Sequence, residues 1–147
     1  MKLEVALAGM TRLYLDTAPV IYLVERNPQF FGEVSAIFRR VDEAQLTVVA
    51  SQITLAECLV GAYRTKQTQV AANFVECLTQ EGTDFVQISA EIGDLAAQLR
   101  VKYNFQLPDA LQLATALVSN CEAFLTNDGQ LKRVAELRVL VIGELEA

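Results

Sequence analysis

Residues 13–25 read LYLDTAPVIYLVE. The pattern predicts a strand over residues 12–16 that ends on Asp16. A helix follows directly and is opened by Ala18-Pro19, because proline is favoured in the first helical turn. Short β-type runs alternate with longer helical runs along the rest of the chain, which is typical of a parallel sheet covered by helices. The sequence therefore predicts an α/β fold, a three-layer α/β/α sandwich with a central, mainly parallel sheet.

The remaining elements follow from periodicity, glycines and prolines. Further strands are predicted at 46–51, 85–88, 123–126 and 138–142, and further helices at 28–42, 53–64, 68–80, 90–103, 108–119 and 130–135. With 147 residues, 52% of them apolar, the chain is expected to form a single domain with a core over 11–142. Residues 1–10 are expected to be an N-terminal extension that contributes little to activity, with Met10 as an alternative initiator.

Composition excludes several kinds of chemistry. The chain has no histidine, which removes Ser-His-Asp and Cys-His catalysis and His-ligated zinc. Its three cysteines form no CxxC pair and are expected to be buried, reduced thiols. A net charge of -6 argues against a protein that coats nucleic acid nonspecifically, but leaves room for a small nucleic-acid cleft. If the chain is an enzyme, carboxylates are the groups that we most expect to carry its chemistry.

No segment resembles a membrane span or a secretory signal. The longest stretch without a charged residue, 44–56, has 13 residues, whereas a spanning helix needs about 20. The apolar run at 5–10 is short and follows Glu4. The expected location is the cytoplasm, with no membrane partner.

Four acidic residues fall near the carboxyl ends of predicted strands, where sites form in open parallel sheets. They are Asp16, Glu57, Asp109 and Asp128. Each has a purely structural explanation as a helix cap, a dipole partner, a turn residue or a solvated side chain. However, Asp109 and Glu57 lie in strongly apolar segments, where an unpaired charge is expensive to bury. Shared binding of a divalent cation removes that conflict, and oxygen donors without histidine or cysteine suit Mg²⁺ or Mn²⁺.

Four ordered motifs carry a resemblance to a known family. They are LYLDTAPVIYLVE at 13–25, SQITLAECLVG at 51–61, LPDALQLATAL at 107–117 and FLTND at 124–128. Together they resemble the PIN-domain ribonucleases, in particular the VapC-type toxins of toxin-antitoxin pairs, over residues 11–142. The sequence differs from the family pattern at Gln112, where many relatives carry histidine or isoleucine, and in the length of its N-terminal extension.

The resemblance implies a metal-dependent endoribonuclease on a Rossmann-like fold. Asp16, Glu57, Asp109 and Asp128 fall on the four acidic positions of the family and are the expected catalytic and metal-binding residues, with Mg²⁺, or alternatively Mn²⁺, as cofactor. Thr126 and Asn127 belong to the polar triplet that supports the last carboxylate. One or two ions fit four carboxylates. The implied partners are an RNA substrate, a cognate antitoxin and a second copy of the chain in a homodimer.

Other readings remain open. A phosphotransferase of the haloacid-dehalogenase kind expects DxD where this chain has Asp16-Thr17-Ala18, and a receiver domain expects an aspartate where Ser89 and Ala90 follow the third predicted strand. Neither a dinucleotide-binding GxGxxG nor a P-loop occurs. A noncatalytic PIN-like binding module and an RNA-processing nuclease that is not a toxin are the main alternatives.

Two surfaces are candidates for binding partners. Basic pairs that RNA could contact are Arg39-Arg40, Arg64 with Lys66, and Lys132-Arg133, although basic residues near helix ends are commonly just solvated. The early helices are the predicted partner-facing surface because they are rich in aromatic side chains, with core packing as the alternative. These side chains are Tyr22, Phe30, Phe31 and Phe38.

Overall fold

A parallel sheet of five strands runs through the centre of the protein. The structure, a computed structural model, describes all 147 residues. The strands are β1 (Arg12–Leu15), β2 (Thr47–Ser51), β3 (Thr83–Val86), β4 (Ala123–Thr126) and β5 (Arg138–Val141). They lie side by side in the order β3-β2-β1-β4-β5, and every neighbouring pair is parallel. The predicted α/β fold class is confirmed.

Seven helices connect and cover the strands. They are α1 (Leu3–Ala6), α2 (Thr17–Val24), α3 (Phe31–Asp42), α4 (Gln52–Arg64), α5 (Thr68–Thr79), α6 (Ala90–Tyr103) and α7 (Leu107–Val118). Short 3₁₀ turns follow the last two strands at Gly129–Arg133 and Ile142–Glu144. None of the helices combines the length and the apolar character that crossing a bilayer requires.

The sheet separates two hydrophobic cores, and β1 shows how one strand serves both. Leu13 and Leu15 point into the larger core, which α2–α5 cover, whereas Tyr14 between them points into the smaller core under α6 and α7. All three side chains are fully buried. Because successive side chains of a strand point to opposite faces, a strand covered on both faces must be apolar throughout. This explains the uninterrupted LYL of the opening motif.

The third strand begins two residues earlier than predicted. Gly82 has φ +90°, and a Cβ atom there would come within 2.6 Å of the Val41 side chain. Its carbonyl accepts a hydrogen bond from the N–H of Val48 in β2. Pairing with β2 thus begins at the glycine itself, and β3 spans Thr83–Val86 rather than 85–88.

Residues 1–10 are packed into the protein, contrary to the expectation of a separate extension. Leu3, Ala6 and Leu7 are buried in the larger core. The N–H of Leu3 donates to the carbonyl of Glu146 at 2.7 Å, so the two chain ends lie together. We therefore predict that removing this segment destabilises the fold.

The aromatic side chains of the early helices mostly pack within the chain. Phe38 is 7% exposed and belongs to the larger core. Tyr22 and Phe30 stack on each other with ring centroids 4.9 Å apart, and the guanidinium of Arg26 lies over the ring of Phe31. Phe38 is therefore removed from the predicted partner-facing surface.

Candidate active site

The candidate site lies where the strand order reverses. The chain passes outward from β1 to β2 and β3 on one side, then returns to β4 and β5 on the other. In open parallel sheets, the crevice at such a switch point is the common position for a ligand. Asp16 directly follows β1 and Asp128 lies two residues beyond β4. The backbone N–H of Asp16 donates to the carbonyl of Leu125 at 2.9 Å, which fixes Asp16 at this edge.

Asp16 is held from three directions. Its carboxylate caps α2 by accepting a hydrogen bond from the Thr17 N–H at Oδ1, 2.7 Å away. Gln112 Nε2 donates to the same oxygen at 2.9 Å, and Thr126 Oγ1 donates to Oδ2 at 2.7 Å. Burial raises the pKa of Asp16, the hydrogen bonds from Thr126 and Thr17 oppose that rise, and the charges of nearby carboxylates add to it. Asp16 is therefore both a helix cap and a rigid carboxylate at the switch point.

Glu57 approaches Asp16 from the exposed side of α4. It accepts two hydrogen bonds at Oε1, one from Thr17 Oγ1 at 2.7 Å and one from Gln112 Nε2 at 3.0 Å. Ser51 caps α4 by accepting the N–H of Ile53, so the helix starts immediately after β2 and its second turn lies at the sheet edge. Glu57 is thus linked to Asp16 through shared donors.

Asp109 and Asp128 complete the predicted set. Asp109 is half-buried in the first turn of α7, and burial followed by the charges of the other three carboxylates raises its pKa to about 6. Asp128 is exposed and caps the following 3₁₀ turn by accepting the Gln130 N–H at 2.9 Å. The four carboxylates that the sequence singled out therefore lie close enough for their charges to act on one another.

Thr126 and Asn127 play different parts. The Thr126 side chain is fully buried, and its Oγ1 accepts the Asp128 N–H at 3.0 Å while donating to Asp16. Asn127 turns away from the carboxylates: its Nδ2 donates to the Tyr22 hydroxyl at 3.0 Å, and its Oδ1 accepts the Gly143 N–H at 3.3 Å. Thr126 binds the Asp16 carboxylate and the backbone N–H of Asp128, whereas Asn127 restrains the loop that carries Asp128.

Gln112 is central to the site, although sequence reasoning noted it only as a departure from the family. Its side chain is fully buried in α7 and bonds to both Asp16 and Glu57. The hydroxyl of Tyr14 also belongs to this network, since it donates to Gln112 Oε1. The available signal was one amide side chain in a helical run, LQLATALV, whose other residues are apolar except for Thr115, because buried amides are stable only when hydrogen-bonded.

No cationic side chain neutralises the cluster. The chain has four ion pairs, and none of them includes any of the four carboxylates. They are Lys2–Glu146, Arg12–Asp84, Lys102–Glu136 and Lys132–Glu144. The site is therefore a concentration of negative charge without an internal counter-charge.

Two of the predicted basic pairs lie at opposite ends of the sheet. Lys132 and Arg133 follow Asp128 in the 3₁₀ turn, but Lys132 Nζ donates to both carboxylate oxygens of Glu144 and Arg133 Nη1 donates to the Tyr103 carbonyl. Arg39 and Arg40 line a groove of about 440 Å³ with Gln45, just before β2 begins. That groove lies at the amino ends of the strands, opposite the carboxylates.

Comparison with known proteins identifies the family. The model of the PIN domain matches residues 13–137, which include all four carboxylates and Gln112. The chain belongs to the PIN-domain family. Among curated proteins, none matches this sequence.

Solved structures share the architecture of this PIN domain. VapBC2 from Rickettsia felis, bound to a DNA fragment from its promoter, superposes with a TM-score of 0.72 at 18% identity, covering 89% of this chain and 98% of that one. A toxin-antitoxin complex from Klebsiella pneumoniae gives 0.66 at 25% identity, with 88% and 97% covered. VapC20 of Mycobacterium tuberculosis, a toxin that cleaves the sarcin-ricin loop, gives 0.68 at 16% identity, with 86% and 98% covered.

The donor chemistry of this PIN domain fits a hard divalent cation, because the cluster offers only carboxylate oxygens and carries uncompensated negative charge. As the side chains stand, however, no trio of acidic or thiol groups converges closely enough to hold an ion. Asp109 accepts no hydrogen bond that opposes its raised pKa, and Asp128 accepts one, from Gln130. These two carboxylates retain the most freedom to turn toward a ligand.

Proposed function

We propose that this protein is a metal-dependent endoribonuclease and the toxin of a toxin-antitoxin pair. The observation that carries the proposal is the gathering of four carboxylates, none of them paired with a cationic side chain, at the switch point of the sheet. Such a site attracts divalent cations and, through them, phosphate groups. Membership of the PIN-domain family and the likeness to VapC structures support the same reaction class.

The carboxylates are assigned different roles according to their contacts. Asp16 is the anchored ligand because both its oxygens are hydrogen-bonded. Asp109 and Asp128 are the ligands that adjust, since they are the least restrained. Glu57 keeps its Oε2 free while Oε1 is held, so it either binds the cation or orients the attacking water.

The proposed reaction is hydrolysis of an RNA phosphodiester. A water oxygen forms a bond to phosphorus, the bond to one ribose oxygen breaks, and that oxygen leaves with a proton. When bound, Mg²⁺ or Mn²⁺ supplies charge neutralisation at the phosphate oxygens and acidifies a water ligand. The chain's own contribution is to hold Asp16 and Glu57 side by side, so that the attacking water is oriented toward the phosphate.

The assignment as a toxin rests on the relatives. The K. pneumoniae structure is a complex of toxin with antitoxin, so we propose that a cognate antitoxin binds this chain. The homodimer is a separate proposal, which rests on the resemblance to VapC-type toxins alone. All three cysteines are free and buried, which suits the reducing cytoplasm, the location we propose for the protein.

RNA cleavage by the purified protein tests the enzymatic part. A panel of structured RNAs is incubated with protein in Mg²⁺, in Mn²⁺ and in chelator. We expect cleavage at defined positions in either metal and none in chelator. Cleavage that survives chelator would contradict a metal-dependent mechanism, and binding without cleavage in every condition would favour a noncatalytic PIN-like module.

The genomic neighbourhood tests the toxin part separately. We expect a small open reading frame beside the gene whose product, when co-expressed, co-purifies with this chain and suppresses cleavage. An active nuclease with no such inhibitor would instead be an RNA-processing enzyme.

A further inference from the structure

We propose that Gln112 is a positioning residue of the candidate site: its buried amide fixes the Asp16 and Glu57 carboxylates side by side for cation binding. The inference rests on the proposed function, since the placement of these groups matters for activity only if they act together.

The amide has two sides with different partners. Gln112 Nε2 donates to Asp16 Oδ1 at 2.9 Å and to Glu57 Oε1 at 3.0 Å, and Thr17 Oγ1 lies 3.3 Å from the same nitrogen. The shared nitrogen keeps one oxygen of each carboxylate within two hydrogen-bond lengths of the other. Asp16 follows β1 and Glu57 lies on α4, so Gln112 joins groups from separate elements.

The orientation of the amide is set from below. Gln112 Oε1 accepts hydrogen bonds from the Tyr14 hydroxyl at 3.0 Å and from Thr54 Oγ1 at 2.8 Å. A flipped amide would turn its oxygen toward two carboxylates and its N–H groups toward hydroxyls already engaged in the core, so this network selects one orientation. Tyr14 is itself locked, because its ring stacks on Phe124 with centroids 5.2 Å apart.

A neutral donor suits this position better than a cation. A lysine or arginine would also hold two carboxylates, but it would cancel the charge that attracts a metal ion. The amide restrains Asp16 and Glu57 while leaving the cluster as negative as before. Outer partners of this kind fix the orientation of metal ligands, and their loss typically costs about 10–100-fold in metal affinity or activity.

Gln112 is not required to satisfy the groups beneath it. The Tyr14 hydroxyl also bonds to Ser51 Oγ at 2.9 Å, and Thr54 Oγ1 lies 3.4 Å from the carbonyl of Leu15. Thr17 links the same two carboxylates through its N–H and its hydroxyl. A variant without the amide therefore retains partners for its neighbours and is expected to fold.

The test compares Gln112→Met with Thr115→Val in the full-length protein. Methionine keeps the length of the side chain and removes both polar atoms. Thr115 is equally buried one turn along α7, but its hydroxyl bonds only to the Leu111 carbonyl. Calorimetric titration with Mn²⁺ should show affinity about tenfold weaker or more for Gln112→Met, and unchanged affinity for Thr115→Val. In cleavage assays, Gln112→Met should show a larger change in kcat, which falls, than in KM.

Wild-type protein provides a second readout that does not depend on any variant folding. The side-chain NH₂ signals of Gln112 in NMR spectra should shift when Mg²⁺ is added, whereas those of Gln98, which donates to Asp94 on the exposed face of α6, should not. If wild type binds Mn²⁺ and Gln112→Met binds it with the same affinity, the positioning role alone is overturned. Gln112 signals that do not respond to Mg²⁺ would overturn the same role. Wild-type protein that binds no Mn²⁺ would overturn the proposed function as well.

Discussion

Replacing Asp109 by asparagine should stabilise the metal-free protein at neutral pH. The pKa of Asp109 rises from 3.8 to about 6 through burial and the charges of Asp16, Asp128 and Glu57. Between these two pH values the folded chain keeps a proton that the unfolded chain has released. Stability is therefore lost as pH rises through this window, and the loss is complete above pH 6.

The size of the effect follows from the same shift. A rise from 3.8 to about 6 corresponds to about 3 kcal/mol, and solvent screening of a half-buried group reduces this to about 1–2 kcal/mol. Asparagine removes the charge without breaking a hydrogen bond that favours the carboxylate, but it forfeits about 0.5 kcal/mol of interaction with the N-terminal end of α7. We expect Asp109→Asn to be about 1 kcal/mol more stable than wild type at pH 7.5.

Urea unfolding followed by circular dichroism measures this difference in chelator at pH 7.5 and at pH 4. The gain should shrink at pH 4, where the wild-type carboxyl is largely protonated. Asp94→Asn, which removes a carboxylate on the exposed face of α6, should show no gain of this kind. With Mn²⁺ at ten times its dissociation constant, wild type should gain about 1.4 kcal/mol and the variant less. A variant less stable than wild type in chelator, or a gain independent of pH, would refute the reasoning.

Three further predictions follow from other contacts. Thr126→Val removes the hydrogen bond to Asp16, so it should lower the free energy of unfolding by about 1–3 kcal/mol, raise the pKa of Asp16 further in NMR titration and reduce the rate of cleavage. Thr126→Ser keeps the hydroxyl and should restore all three properties. A Thr126→Val variant that behaves like wild type would contradict the role given to the hydroxyl. A chain starting at Met10 loses the buried Leu3 and Leu7, so its free energy of unfolding should fall by at least about 3 kcal/mol in a denaturant titration. Unchanged stability would show that residues 1–9 do not stabilise the fold. Light scattering should show a homodimer that gains mass with the cognate antitoxin, and a monomer without that gain would refute both assemblies.

Periodicity predicted the elements of this fold well because each of its signals is local. The strand at 123–126 and the helix at 90–103 have the predicted bounds. The start of the third strand was predicted two residues too late, because it depends on pairing with β2 and on the close approach of Gly82 to Val41. Both are contacts between residues distant in the sequence. The packing of residues 1–10 was not predicted for the same reason, since they contact the other end of the chain.

The candidate site shows a similar division. The acidic residues were predictable because each lies near the carboxyl end of a strand or in the first two turns of a helix, positions that the local pattern reveals. Gln112 was not, because its role depends on Tyr14 below and Asp16 above, and one sequence does not show which residues face an amide. Thr126 and Asn127 are neighbours in one motif but point in different directions. Their orientations likewise depend on the packing around the carboxyl end of β4.

Cleavage kinetics of Asp16→Asn, Asp109→Asn and the double variant test the central claim most directly, since the account holds that these carboxylates act as one cation site. With RNA and saturating Mn²⁺, each single variant should lose more kcat/KM than the roughly 10–100-fold that the loss of an outer partner of a metal ligand costs. The double variant should lose little more, because residues that act as a unit are not additive. Asp94→Asn should cleave like wild type. Losses that multiply in the double variant, or single variants as active as wild type, would contradict a shared catalytic site.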